Sequence, residues 1–230
     1  MKKSLNAGFI AVFAAFHATL YFLSPPILWR NWAIYLEPIE GIVLGPWAGF
    51  SAAFIGSIVG RMVKPDVFWM FGIIAEPLSV LMIAFLVQRR SLPVLVTYSV
   101  MLAAYFSHPF GQRLPLWTIL DVLLAFALIY PVAKLSRINI QDNMRRLTVS
   151  LVLVSFIGTV TDSLTRIFLF VPAGLYAFLG LSFDEVFFIF TTGATASYIE
   201  DIIVVVVSFL VGVPLLLAMQ KIQGFKYPIT

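Results

Sequence analysis

The sequence predicts an all-α protein: a polytopic membrane helix bundle of six to eight helices, forming one domain over residues 1–230. The first observation is composition. The chain is 61% hydrophobic and 11% charged, with a mean hydropathy of +1.00, whereas a soluble domain carries about 25% charged residues. The second is run length, because several apolar stretches reach or exceed the roughly 20 residues that cross a ~30 Å hydrocarbon layer. The third is the lack of alternating polarity, which a membrane barrel requires. Helices satisfy their own backbone hydrogen bonds in lipid, so helices are expected throughout.

Leu5–Ser24 follows Lys2 and Lys3 and lacks a small-x-small cleavage pattern, so it reads as helix 1 rather than a signal peptide. Trp32–Val63 has 32 residues, which would make a helix of about 48 Å. In its middle lies Gly45-Pro46-Trp47-Ala48-Gly49, a helix-breaking sequence that makes the run a hairpin of two short helices. Val67–Gln88, Val94–Ser107, Leu116–Ser136 and Leu147–Val171 follow as single segments. Phe183–Met219 is too long for one upright span, and a break is expected near Thr191–Ser197.

Charge sidedness supports the hairpin. With a cytoplasmic N-terminus, Lys2, Lys3, Arg89, Arg90, Lys134, Arg137, Arg145, Arg146, Lys221 and Lys226 fall inside. Arg30, Arg61, Lys64 and Arg113 fall outside. A single span would place Arg89, Arg90 and the Lys134–Arg146 cluster outside, against the positive-inside tendency. Both termini are therefore expected in the cytoplasm, with the chain multi-pass in the cell membrane. The formal charge of +4 does not suggest nucleic acid, since the basic residues sit at helix ends.

Ionisable side chains inside membrane helices usually face a cavity or one another. Glu40, Glu76, Asp121, Asp162, Glu200 and Asp201 all fall in the outer half under this topology, a convergence that played no part in choosing it. Asp162 and Arg166 share a helix face at i, i+4, and Arg166 is expected to be the one base at that depth. Glu37, Asp66, Asp184 and Glu185 read as interfacial. An acid-rich outer pocket follows, with Trp47 among its candidate lining residues beside Trp32, Trp69, Trp117, Tyr176 and Tyr198. His17 and His108 are isolated and read as hydrogen-bonded packing residues rather than metal ligands.

Two stripes of small residues stand out. Ala7, Ala11 and Ala15 repeat at four-residue spacing in helix 1, and Gly56-x-x-x-Gly60 marks the next smooth face; such faces let helices approach closely in lipid. The sequence has no cysteine, which excludes disulfides and thiolate metal sites. It has no P-loop, H-E-x-x-H, G-x-S-x-G or dinucleotide fingerprint, and no enzymatic activity, cofactor or metal is expected.

The stretch Glu40-Gly-Ile-Val-Leu-Gly-Pro-Trp-Ala-Gly-Phe-Ser-Ala-Ala-Phe-Ile-Gly-Ser-Ile-Val-Gly60 resembles the helix 2–helix 3 signature of the substrate-binding (S) components of energy-coupling factor (ECF) vitamin transporters. In that family a Gly-Pro-x-x-Gly turn joins two small-residue-rich helices. The Ala7, Ala11, Ala15 stripe is similar to the family's docking face for its transmembrane coupling subunit. Phe156-Ile-Gly-Thr-Val-Thr-Asp162 and Val211-Gly-Val-Pro-Leu-Leu resemble its last two helices. The family is built on six helices, and this sequence reads as more; its metal-transporting subtype is not matched, because position 2 is Lys.

The resemblance implies a substrate-capture subunit of an ATP-driven importer. It would bind a vitamin-like small molecule from outside and deliver it with a coupling subunit and two ATPase subunits. Charge complementarity with the acids favours a cationic molecule. Two alternatives stand beside it: a stand-alone proton-coupled secondary transporter, and an intramembrane lipid-modifying enzyme using Asp162 and Asp121.

Overall fold

A computed structural model describes residues 2–25, 30–65, 68–136, 144–221 and 228. Asp66, Arg137 and Lys226, assigned above from sequence, lie outside the described residues. The described chain is all-α and contains no strand. Its helices are α1 (Lys2–Leu23), α2 (Glu37–Leu44), α3 (Pro46–Val63), α4 (Trp69–Val87), α5 (Ser91–Ser107), α6 (Pro109–Arg113), α7 (Leu120–Leu135), α8 (Met144–Phe170), α9 (Leu175–Phe178), α10 (Phe183–Val207) and α11 (Val213–Gln220). Short 3-10 turns at Trp32–Tyr35 and Leu116–Ile119 lead into α2 and α7. Among the described residues, five segments are long and apolar enough to cross a membrane: Asn6–Leu23, Trp69–Val87, Leu116–Leu135, Met144–Phe170 and Phe183–Met219. The chain is a helical membrane protein.

The hairpin at residues 32–63 is present, and its turn is one residue wide. Gly45 has φ 81° and ψ −174°, a conformation that side chains disfavour. Pro46 then opens α3, where its fixed φ suits the first helical turn. The two arms differ in length. α2 has eight residues, about 12 Å of helix, and all of them are buried. The 3-10 turn before it supplies the rest of the first arm.

Glycines set the order of packing. A Cβ on Gly56 would lie 2.6 Å from the His17 Cβ and 2.8 Å from the Ala14 carbonyl, and one on Gly60 would lie 2.7 Å from the Tyr21 ring. α1 and α3 therefore run parallel in close contact. α4 runs antiparallel to α3, with Gly72 at the level of Arg61 and Val80 at the level of Gly49. α8 runs antiparallel to α4, since Ser79 donates to the Gly158 carbonyl at 2.9 Å while Phe71 meets Phe170. α8 is the hub of the bundle, touching α2, α4, α5, α7 and α10. Arg89, Lys134 and Lys221 thus share the end of the bundle where Gly45 turns, and Lys64 and Arg113 share the other. We refer to the first as the terminal end and the second as the distal end.

The last segment corrects one expectation. α10 runs unbroken through Thr191–Ser197 from a capping box, in which the Glu185 carboxylate accepts from the Ser182 amide at 2.7 Å. The irregularity comes later, as a π turn over Ser208–Gly212. Pro214 explains it, because Pro has no N–H to return to the carbonyl four residues earlier.

Candidate functional site: a buried charge network

Four helices converge on Glu76. His17 of α1 is fully buried and stands between two carboxylates, its Nδ1 3.1 Å from Glu40 Oε2 and its Nε2 3.0 Å from Glu76 Oε2. Each contact needs a hydrogen, so the ring either donates from both nitrogens or one carboxyl holds the second proton. From α3, Arg61 donates through Nη2 to Glu76 Oε1 at 2.6 Å and through Nη1 to Oε2 at 3.2 Å. Ser57 also donates to Glu76, and Asn31 Nδ2 donates to Oε1 at 2.6 Å.

Arg166 of α8 completes this cluster. Its Nε donates to Asp162 Oδ2 at 2.6 Å, its Nη2 to Oδ1 at 3.1 Å, and Nη2 lies 3.6 Å from Glu76 Oε1. Gly72 makes room for the arrangement: a Cβ there would overlap the Arg61 guanidinium and lie 2.5 Å from Glu76 Oε1. On its other side the guanidinium lies over the Tyr21 ring, 4.6 Å from the centroid, a cation–π contact. Arg61 also lines a groove of about 340 Å³ with Ile58, Met62, Pro65, Trp69 and Ile73.

A second cluster forms around Arg30, which enters the bundle between α1 and α2 and is 4% exposed. Its Nε lies 2.9 Å from Glu200 Oε2, and its Nη1 2.9 Å from Asp201 Oδ1. Nη1 also donates to the Thr159 carbonyl at 3.3 Å and to the Thr159 hydroxyl, and Nη2 donates to the Ser197 carbonyl at 3.2 Å. Asp121 of α7 adjoins Asp201. One oxygen of each, Asp121 Oδ1 and Asp201 Oδ2, is buried without a hydrogen-bond partner.

The structure therefore brings Glu40, Glu76, Asp162 and Arg166 together, and gathers Asp121, Glu200 and Asp201 beside Arg30. Asp162 and Asp121, paired in the enzyme alternative, fall in different clusters. Trp47 is not part of either, being 70% exposed at the start of α3, at the terminal end. No family model, curated protein or solved structure matches this chain. The site is accordingly read from its own geometry.

Three residues depart from the sequence reading, and a fourth, His17, is buried and hydrogen-bonded as expected but also joins two carboxylates. Arg166 is not the only base at this depth: Arg30 and Arg61 turn inward, and His17 is the bridge of the first cluster. Glu37, read as interfacial, is 1% exposed, and neither of its carboxyl oxygens has a hydrogen-bond partner. A signal for two of them existed. Ala14, His17 and Tyr21 repeat at helical spacing on the buried face of α1, and Arg61 follows Ser57 at i+4 on the close-packed face of α3.

The alanine stripe faces outward. Ala7, Ala11 and Ala15 are exposed, while Ala14 faces α3. Trp32, Trp69 and Trp117 are exposed by 36–49% and sit at the rim, as aromatics at a membrane interface do.

Proposed function

We propose that this chain is a multi-pass cell-membrane protein that captures a small, cationic, vitamin-like molecule from outside. It serves as the substrate-binding subunit of an ATP-driven importer, with both termini cytoplasmic. The observation that carries the reading is the charge balance of the buried network. Glu37, Glu40, Glu76, Asp121, Asp162, Glu200 and Asp201 are buried, against Arg30, Arg61, Arg166 and His17. Carboxylates exceed bases, and uncompensated charge is strongly disfavoured in a bundle surrounded by lipid. A cation entering the network offsets the excess.

The exposed Ala7, Ala11 and Ala15 face supports the partner half of the reading. It leaves a smooth stripe for a transmembrane coupling subunit to approach, and two ATPase subunits would supply the energy. A direct test is thermal stabilisation of the purified protein by phenethylamine, an arylalkylamine protonated at neutral pH, and by its N-acetylated, uncharged counterpart. Stabilisation by the amine alone is expected, and equal effects of both would overturn the cationic assignment. Copurification of the tagged chain with ATPase subunits tests the importer assignment separately.

One observation favours a second reading. The Glu40–His17–Glu76 bridge links α1, α2 and α4 through groups that can exchange protons, as a stand-alone proton-coupled transporter would require. Uptake by the chain alone in proton-loaded vesicles would establish that reading and displace the first.

A further inference from the structure

Glu37 has a distinct place in this network. It lies one turn before Gly41, which packs against Val80 and Ile83 of α4; one turn before Val80 lies Glu76. On α8, Gly158 packs against Ile83 and Ser79, and Asp162 lies one turn beyond it. Glu37, Glu76 and Asp162 therefore share one level of the bundle, and Glu76 and Asp162 act on Glu37 electrostatically.

The bases at that level are already matched to other acids. His17 of α1 faces Glu40 of α2, Arg61 of α3 holds Glu76 of α4, and Arg166 of α8 holds Asp162. Glu37 is left with 1% exposure and with no partner on either oxygen. The adjacent Ser79 hydroxyl has committed its hydrogen to the Gly158 carbonyl at 2.9 Å. It therefore offers Glu37 lone pairs rather than a hydrogen. That environment suits a carboxylic acid and leaves a carboxylate without a donor.

We propose that Glu37 is a proton-binding site, a carboxyl at the centre of the bundle that carries an exchangeable proton in the resting protein. A metal cation fits less well, because the described residues contain no group of three His, Cys, Asp or Glu side chains placed to hold one. A proton needs one acceptor and no coordination shell. The site does not depend on the importer reading, but it gives that reading a means of exchange. Arrival of a cationic molecule and departure of this proton replace one positive charge by another at the same level.

Infrared spectroscopy of the purified protein in lipid nanodiscs tests the site without any transported molecule. A protonated-carboxyl C=O band that shifts in D₂O is expected in the parent protein. Glu37→Gln should remove one component of it, and Asp121→Asn should leave that component in place. Thermal unfolding should show Glu37→Gln to be at least as stable as the parent, since a neutral amide replaces a neutral acid. A band unchanged in Glu37→Gln would overturn the proposal. A band that depends on sodium rather than choline in the buffer would also overturn it, in favour of a metal cation. Should the variant not fold, ¹³C-glutamate labelling decides: a glutamic acid band that survives Glu40→Gln supports the site, and none overturns it. Because no ligand is present, failure here leaves the amine-binding test of the importer reading untouched.

Discussion

Arg61 and Glu76 meet inside the bundle at 2.6 Å, with side-chain exposures of 5% and 1%. Taking two charges out of water costs several kcal/mol each and is offset only when both are present and well hydrogen-bonded. Arg61→Met alone should therefore destabilise the protein by about 3–5 kcal/mol. The double variant Arg61→Met with Glu76→Gln should recover a substantial part of that loss. Unfolding in mixed micelles measures both, and strictly additive effects would show that the pair is not coupled.

Gly72 should be as sensitive as the pair it accommodates. A methyl group there overlaps the Arg61 guanidinium, so Gly72→Ala is expected to lower stability by about 1–3 kcal/mol through overpacking. Gly8 has nothing within 4 Å of an added Cβ, and Gly8→Ala should instead be stabilising by about 0.5–1 kcal/mol as an ordinary helix substitution. Equal melting temperatures for the two variants would contradict this account of the packing.

Arg30 is gripped by acceptors on two helices, which a guanidinium fork can reach and an ammonium cannot reproduce. Arg30→Lys should cost on the order of 1–3 kcal/mol by leaving buried acceptors unsatisfied. Hydrogen exchange around Glu200 and Asp201 should rise in that variant. Unaltered exchange there would mean the Arg30 contacts do not stabilise α10.

Sidedness can be read with single cysteines in this cysteine-free chain. Trp47→Cys and Arg90→Cys should react with an impermeant thiol reagent from one side of the membrane, and Lys64→Cys and Arg113→Cys from the other. Trp47 and Lys64 are the decisive pair because α3 alone separates them. Labelling of both from the same side would refute the hairpin as a crossing.

Helix 1 provides a matched comparison. Ala11→Leu and Ala15→Leu add bulk to the exposed face and should leave stability within about 0.5 kcal/mol; if the proposed importer reading holds, they should also abolish association with its coupling subunit. Ala14→Leu adds the same bulk toward Gly56, and about 1–3 kcal/mol of destabilisation is expected. Loss of stability from Ala11→Leu would show that its face is packed rather than free.

Much of the bundle is legible in the residues because lipid imposes simple rules. Gly45-Pro46 marks the hairpin, and the distribution of Arg89, Lys134, Lys64 and Arg113 orders the passes. The bases of the network were harder to read. A charge count tells which end of a bundle an arginine occupies, but not whether its side chain turns inward, so Arg30 and Arg61 looked like interfacial anchors. Glu37 was missed for a related reason: the second arm of the hairpin is long, but its partner α2 is short and wholly enclosed, which puts a helix-end acid deep inside. The π turn at Ser208–Gly212 was displaced from the expected break because Pro214, rather than the Thr-rich stretch at 191–197, removes the backbone donor.

The parallel seating of α1 on α3 has a mechanical consequence. In α1 the His17 ring meets both Glu40 of α2 and Glu76 of α4. A displacement of α1 against the bundle therefore moves one ring that two neighbouring helices share, while Tyr21 and the Gly56–Gly60 face keep the helix seated on α3. If a partner does settle on the outer face of α1, the ¹⁵N resonances of one imidazole on the inner face of the same helix would register it.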